Sequence, residues 1–324
     1  MEHLFSISAY DFDTDEYGGA REAVRRITEA GADGVELLTG YSEPDHVFKG
    51  AAKGVHLPYA TDWYSPWVGE TRYIDTVSDE NVRYRSFGRT REEMAGTLRD
   101  AIAFASHLSP AYGVFHASNT RMDEVMGFRY RDSDSDIVHA VAELLNLAVK
   151  DLPNGEPPFR IVLENLWWPG LSMTDDSGLR ILEKELAFDN WGLCLDTGHL
   201  MNRLGNCRHE RKSIEEVLKI IRRYPDDMRE RIDVIHLHMS LSADYRERCI
   251  TDPIGSTVTD DDDMITKAYE HICKVDQHRP FTDRSCTEIV RMLHPRYITH
   301  EISGPSPSER LSGFAGQRSL FGRI

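Results

Sequence analysis

The chain has no long apolar run, no paired-cysteine spacing and no excess of positive charge, and each absence removes a class of protein. No stretch approaches the roughly 20 apolar residues that a membrane helix requires, so no spanning segment is expected. Five cysteines, Cys194, Cys207, Cys249, Cys273 and Cys286, are odd in number and nowhere adopt a Cys-x-x-Cys spacing. That argues against a disulfide framework or a structural zinc knuckle, and for reduced thiols. The opening residues, MEHLFSISAY, lack a basic stretch leading into an apolar segment and a cleavage site. No secretion signal is read there, and the cytoplasm is the expected compartment. With 54 acidic against 38 basic residues the formal net charge is −16. Such a balance opposes generic binding to nucleic acid, where clustered Lys and Arg neutralise phosphates.

What is present is a chain of 324 residues, 40% hydrophobic and 28% charged, long for an ordinary domain and normal for one (β/α)8 TIM barrel with insertions. Apolar strand-like runs alternate with amphipathic helical segments from end to end, the pattern of parallel βα units. The runs Leu4 to Ile7, Gly34 to Leu38, Gly54 to Leu57, Tyr112 to His116, Arg160 to Glu164, Trp191 to Asp196, Ile232 to Met239 and Tyr297 to Ile302 make eight strands. Thr90-x-x-Glu93 and Ser213-x-x-Glu216 read as capping boxes that open helices. Two long connections, Asp62 to Arg89 and Ser240 to about Pro280, follow strands three and seven, on the face where such barrels carry their active sites. Within the second, Asp260 to Asp263 reads as a solvated acidic run or helix start, because four adjacent carboxylates cannot converge on one ion. The barrel domain is read as residues 1–303 and residues 304–324 as a tail with room for an incomplete last helix.

The chemistry-bearing residues sit at strand ends. Leu193-Cys194-Leu195-Asp196-Thr197-Gly198-His199 places a carboxylate and an imidazole three residues apart after an apolar strand. Other apolar runs end alike, at His56, His116, Glu164, His236 with His238, and His300 with Glu301. In a parallel barrel these ends meet at one mouth. A lone strand-end imidazole is most simply a hydrogen-bonded core residue, whereas six such groups together require a compensating cation, since burying them uncompensated costs several kcal/mol each. His56, His116, Glu164, Asp196, His238 and Glu301 are therefore the candidate ligands of a divalent ion, with Mn²⁺, Co²⁺, Mg²⁺ and Zn²⁺ all compatible with mixed ligation. His300 should point the other way, toward the helical layer.

The order HLPY, VFHAS, VLENL, LDTGH, HLHMS and HEIS, spread over nearly the whole chain, resembles the xylose-isomerase-like barrel superfamily of sugar isomerases and epimerases, inosose dehydratases and endonuclease-four-type repair enzymes. The epimerase branch implies one ion held by Glu164, Asp196, His238 and Glu301, His238 being preferred over His236 through a His-Leu-x-Asp motif whose final Asp is missing. The repair-nuclease branch implies three zinc ions, with His56, His116 and His199 as further matches. Its Asp-x-His element after strand seven finds no counterpart, the nearest segment being Thr251-Asp252-Pro253-Ile254-Gly255, so one or two ions per chain are expected.

Taken with the resemblance, the leading expectation is a metal-dependent isomerase or epimerase of a sugar, polyol or related hydroxy-carbonyl compound. Glu164 and Glu301 would exchange protons with the carbon beside the carbonyl while the cation stabilises an enediolate. His199, His236, Trp63, Trp67 and Trp167 are the candidate substrate-binding residues, although the tryptophans serve equally as a cap over the mouth. A zinc-dependent phosphoester hydrolase, a metal-dependent dehydratase and a ligand-binding barrel without turnover are the alternatives. The expected partner is a small molecule, with neither nucleic acid nor membrane, and the resemblance leaves room for a homo-oligomer.

Overall fold

Alternation with a period of two decides which residues of each strand enter the barrel and which face the helices. In the computed structural model, which describes residues 1–251 and 261–322, with side chains described from 265 onward in the second stretch, eight parallel strands close in sequence order. They are β1 (Glu2–Ser8), β2 (Gly34–Leu38), β3 (Ala52–His56), β4 (Tyr112–His116), β5 (Arg160–Glu164), β6 (Trp191–Asp196), β7 (Ile232–His236) and β8 (Tyr297–His300). Closure comes from β1 pairing with β8, from Glu2 opposite Tyr297 to Phe5 opposite His300.

One parity of five of the strands, Leu4 of β1, Tyr112 and Val114 of β4, Val162 of β5, Cys194 of β6 and Val234 of β7, packs together in a small cluster inside the barrel. The other parity, including Phe5, Val35, Val55, Phe115, Ile161, Leu193, Ile235 and Ile298, joins the larger core between sheet and helices. Continuing the inward parity toward the strand ends leads to His56, His116, Glu164, Asp196 and His236. Register brings them level, with His116 opposite Glu164 and Asp196 opposite His236.

The strands match the sequence reading closely, except that β7 stops at His236 rather than Met239 and β8 at His300 rather than Ile302. The long connections after β3 and β7 are present and carry helices of their own, Tyr64–Trp67 and Asp79–Ser86 in the first, Ala243–Thr251 and Asp261–Val275 in the second. Asp252 to Gly255 and Asp260 lie outside the described residues.

Thr90 does cap its helix, accepting from the Glu93 N–H at 3.2 Å, but the Glu93 carboxylate takes the Arg89 N–H instead of closing the box. Ser213 caps nothing. Its helix begins at Glu210, and the buried Ser213 hydroxyl donates to the His209 carbonyl at 2.9 Å. The segment from 304 carries a 13-residue helix, Pro307–Ser319, docked by fully buried Phe314 against Phe5 and by Gln317, which hydrogen-bonds the Phe281 amide, the Leu237 carbonyl and His300. His300 accordingly faces the helical layer, where it also meets His3. All five cysteines are free, and no described helix is long and apolar enough to cross a membrane.

Candidate metal centre

The ends of β5 and β6 are fixed first. The Asn165 side chain accepts the Asp196 N–H at 2.8 Å and donates to the Asp196 carbonyl at 3.1 Å, a two-way clasp between adjacent strands. Asp196 then caps the helix Thr197–Leu204 through Oδ1, which accepts the His199 N–H at 2.6 Å. That leaves Oδ2 aimed into the barrel mouth. The same helix turn presents His199, whose Nδ1 lies 2.9 Å from the Asn165 carbonyl.

Five overlapping sets of donor atoms result among the described residues, the atoms of each within 4.8 Å of one another, and they fall around three centres: His56 with His116, His236, and Asp276 with His278. In the first, His56 Nε2 and His116 Nε2 are 3.0 Å apart and lie 3.4 and 3.3 Å from Glu164 Oε2. His56 Nδ1 sits 2.9 Å from the Leu57 carbonyl, which favours a proton on that nitrogen and frees Nε2 as a lone-pair donor. Glu164 Oε2 has no hydrogen-bond partner although fully buried. Two imidazole nitrogens and an unpartnered carboxylate oxygen converging in this way suit a borderline cation such as zinc.

In the second group His236 Nδ1 lies 3.3 Å from Glu164 Oε1, 3.7 Å from Asp196 Oδ2 and 3.5 Å from Glu301 Oε1. His236 thus joins Glu164 and Asp196 in a ligand-like group that the sequence did not assign to it, while the expected ligand His238 forms its own group with Asp196 and Glu301. Because β7 ends at His236, that imidazole is level with Asp196. His238 is a further step toward the mouth, with Nε2 at 2.7 Å from Asp196 Oδ2 and 3.7 Å from Glu301 Oε2. Leu237 follows His236, so the His-Leu pair of the His-Leu-x-Asp motif is met from His236, with Met239 in its final place.

The third group contains two residues that the sequence reading missed. Past β7, Met239 and Arg279 exchange backbone hydrogen bonds at 2.8 and 3.1 Å, and this antiparallel bridge returns Asp276-Gln277-His278 to the mouth. Ser240 Oγ donates to Asp276 Oδ1 at 3.0 Å and accepts the Gln277 N–H at 3.0 Å. Asp276 Oδ2 then sits 3.1 Å from His199 Nε2 and 2.6 Å from His278 Nε2, and the His278 ring stacks on His238 with centroids 4.2 Å apart. An Asp-x-His element is thus present after strand seven, 24 residues beyond Asp252, which corrects the expectation that it has no counterpart.

The electrostatics agree with this crowding. Burial opposes ionisation of Glu164, yet His236 and His116 hold its carboxyl well below the usual range. Burial likewise opposes the charge of His199, but Asp196 and Asp276 raise its pKa well above the ordinary value. Ionised acids such as Glu164 and raised imidazoles such as His199 thus compensate one another across the cluster.

Over them lies a cavity of about 410 Å³ lined by Tyr59, Leu166, Trp167, Trp168, Tyr269 and Ile272 among others. Trp167 belongs to this wall, its ring 5.1 Å from that of His199. Trp63 and Trp67 do not. Both are buried in the main core, packed edge to face, and the Trp63 indole N–H donates to the Ser118 carbonyl at 2.9 Å. Their expected role as substrate contacts is corrected to that of structural anchors for the loop after β3.

The chain is thus a closed parallel barrel whose C-terminal mouth gathers imidazole and carboxylate donors into candidate metal-ligand clusters. A model of the xylose isomerase-like TIM barrel family matches residues 24–294, and the chain belongs to that family, a largely enzymatic group that includes sugar epimerases and isomerases and endonuclease IV. The fold is similar to endonuclease IV from Thermus thermophilus, with 15% identity, 99% of each chain covered and a TM-score of 0.55. It is similar also to a D-tagatose 3-epimerase-like protein, with 15% identity, 99% of this chain and 97% of that one covered and a TM-score of 0.52. At these identities the likeness is one of fold. No curated protein matches by sequence.

Proposed function

We propose that the protein is a divalent-metal-dependent hydrolase of a small phosphate ester, using two or three ions. The observation that carries this reading is Asp276-Gln277-His278, which joins His199 in a third donor group beside the two that share Glu164. Five carboxylates, Glu36, Glu164, Asp196, Asp276 and Glu301, lie in and beneath these groups, together with six imidazoles. With the imidazoles neutral, as metal ligands must be, a single divalent ion would leave three negative charges, which raised imidazoles such as His199 and His278 would then have to balance with protons. Three ions bring the same pocket within one charge of neutrality.

Ions bound there would supply Lewis acidity to phosphoryl oxygens and acidify a water. Glu164 is placed to be shared, one oxygen toward His56 and His116 and the other toward His199 and His236. Trp167 and Trp168 narrow the access of bulk water. Arg85 is the one Lys or Arg lining the cavity among the described residues, and it makes no ion pair there, so it is available to an anionic group of the substrate. The cavity's size is that of a small-molecule site, and with the net charge of −16 it favours a small ester over a nucleic-acid duplex.

A second reading, a single-ion isomerase or epimerase of a hydroxy-carbonyl compound, draws on Glu164 and Glu301, which both flank His236 Nδ1. Metal content and turnover separate the two. Two or three zinc ions per chain with hydrolysis of p-nitrophenyl phosphate or its bis-ester, abolished in Asp276→Asn, is the expected result. One ion per chain with solvent deuterium entering a ketose, and no phosphoester turnover, would establish the second reading instead. A chain that retains no divalent ion after incubation with zinc, manganese or cobalt overturns both.

A further inference from the structure

Glu36 is a buried acid in the middle of β2 that lies beneath the mouth, grouped with His236 and Glu301. It is fully enclosed. Its Oε2 accepts hydrogen bonds from the Tyr112 hydroxyl at 2.6 Å and from Thr299 Oγ1 at 2.8 Å. Two donors on one oxygen orient the carboxylate, so Oε1 is turned toward His236 Nε2, 3.0 Å away. The imidazole is not yet aligned to donate, and neither atom has another hydrogen-bond partner. Among the described residues each is thus the close polar neighbour of the other.

The local sequence is arranged to permit this. Gly54 lies beside the Tyr112 ring, where a Cβ would fall 2.2 Å from Cζ and 2.5 Å from the hydroxyl. Any side chain at 54 would push that hydroxyl off Glu36. A buried carboxylate held by two hydroxyls and facing one imidazole adds little to stability alone, because its desolvation outweighs what neutral hydrogen bonds return. The arrangement does suit the orientation of a metal-binding histidine, whose remote nitrogen is commonly tied to a carboxylate so that the other nitrogen keeps its lone pair for the ion.

We infer that Glu36 is a positioning residue, not a ligand: it takes the Nε2 proton of His236 and so commits Nδ1, the nitrogen among Glu164, Asp196 and Glu301, to the metal. This rests on the reading of the mouth as a metal centre. Tyr112 and Thr299 act one step further out by holding the carboxylate.

The test compares wild type, Glu36→Gln and Glu36→Leu for Co²⁺ affinity by chelator competition, for the visible absorption of bound Co²⁺, and for thermal unfolding without metal. The Gln amide oxygen can still accept from Nε2 while the two hydroxyls rotate to accept from its NH₂, so this variant should bind within a few-fold of wild type with an unchanged spectrum. The Leu variant should bind about 10- to 100-fold more weakly, with an altered spectrum. Equal loss in both variants makes Glu36 a ligand and overturns the inference, as does full affinity and an unchanged spectrum in Glu36→Leu whatever its melting temperature. If Glu36→Leu does not fold, Thr299→Val, which removes one of the two orienting donors, should weaken binding several-fold, and no change there overturns it. Wild type that binds no cobalt fails the metal reading itself, an outcome distinct from wild-type binding that is indifferent to Glu36.

Discussion

Metal-free protein should lose stability between pH 6.5 and 9, and metal-loaded protein should not. His278 sets the scale. Burial opposes its charge, but Asp276 Oδ2 lies 2.6 Å from its Nε2 and Glu301 is near, and together they push its pKa from the ordinary 6.5 up to about 9. The folded chain thus keeps this proton until about pH 9, while the unfolded chain releases it near 6.5. Its contribution is complete below pH 6.5 and is lost as the pH climbs through 9. At about 1.4 kcal/mol per tenfold change in proton affinity the loss is roughly 3 kcal/mol, on the order of 5 °C in melting temperature for a chain of this size. His56 and His199 act in the same direction, raised against their burial by Glu164 and by Asp196 respectively. His3 and His271, which burial pushes down to about 4, titrate below this window and leave it clear. The assay is a set of melting curves at half-unit pH steps after exhaustive chelation, repeated with zinc restored. Proton release on adding zinc at pH 7.5, read with an indicator dye, is the companion measurement and should be at least one per chain. A metal-free melting temperature that stays level or rises from pH 6.5 to 9 would refute the reasoning.

Other predictions address the frame of the site. Trp63→Ala should cost about 3–5 kcal/mol in denaturant unfolding while leaving metal content in the folded fraction intact, since Trp63 is a core residue that belongs to none of the donor groups; a change in zinc stoichiometry without destabilisation would return it to the site. Gly198→Ala places a Cβ 2.1 Å from His238 Cε1, a ring held from the other side by His278. It should destabilise by about 1–3 kcal/mol and release at least one ion per chain, which unfolding curves and elemental analysis would check. Arg85→Met should leave melting temperature and metal content unchanged and raise KM for substrates with a second anionic group; equal KM values for wild type and variant would remove Arg85 from substrate binding.

How far the site can be read from sequence depends on whether a residue sits on a regular element. Period-two strands ending in acids and imidazoles reveal both the barrel and His56, His116, Glu164, Asp196 and Glu301, because strand parity alone dictates that such ends face the mouth. Glu36 carries the same signal as Glu164, a carboxylate within an apolar strand, but in mid-strand, where it faces the barrel interior below the mouth. His236 and His238 are not told apart by parity, since both point the same way; what sequence could not give is where β7 stops pairing, which sets His236 level with Asp196 and His238 a step further out. Trp63 and Trp67 show the opposite limit, for an aromatic pair in a long loop reads alike whether it folds under the loop or over the pocket. The loss of Asp276 and His278 has a different cause. They follow a helix, Asp261–Val275, and reach the mouth only because the chain turns back and pairs Arg279 with Met239. Neither helix periodicity nor strand parity encodes that return. What does encode it is local: Ser240 and Gln277 exchange hydrogen bonds with the opposing strand, Gln277 Oε1 taking the Leu241 N–H at 3.1 Å. Recognition of the third donor group therefore requires the pairing of two short extended pieces nearly forty residues apart, and the number of ions the mouth can hold depends on it.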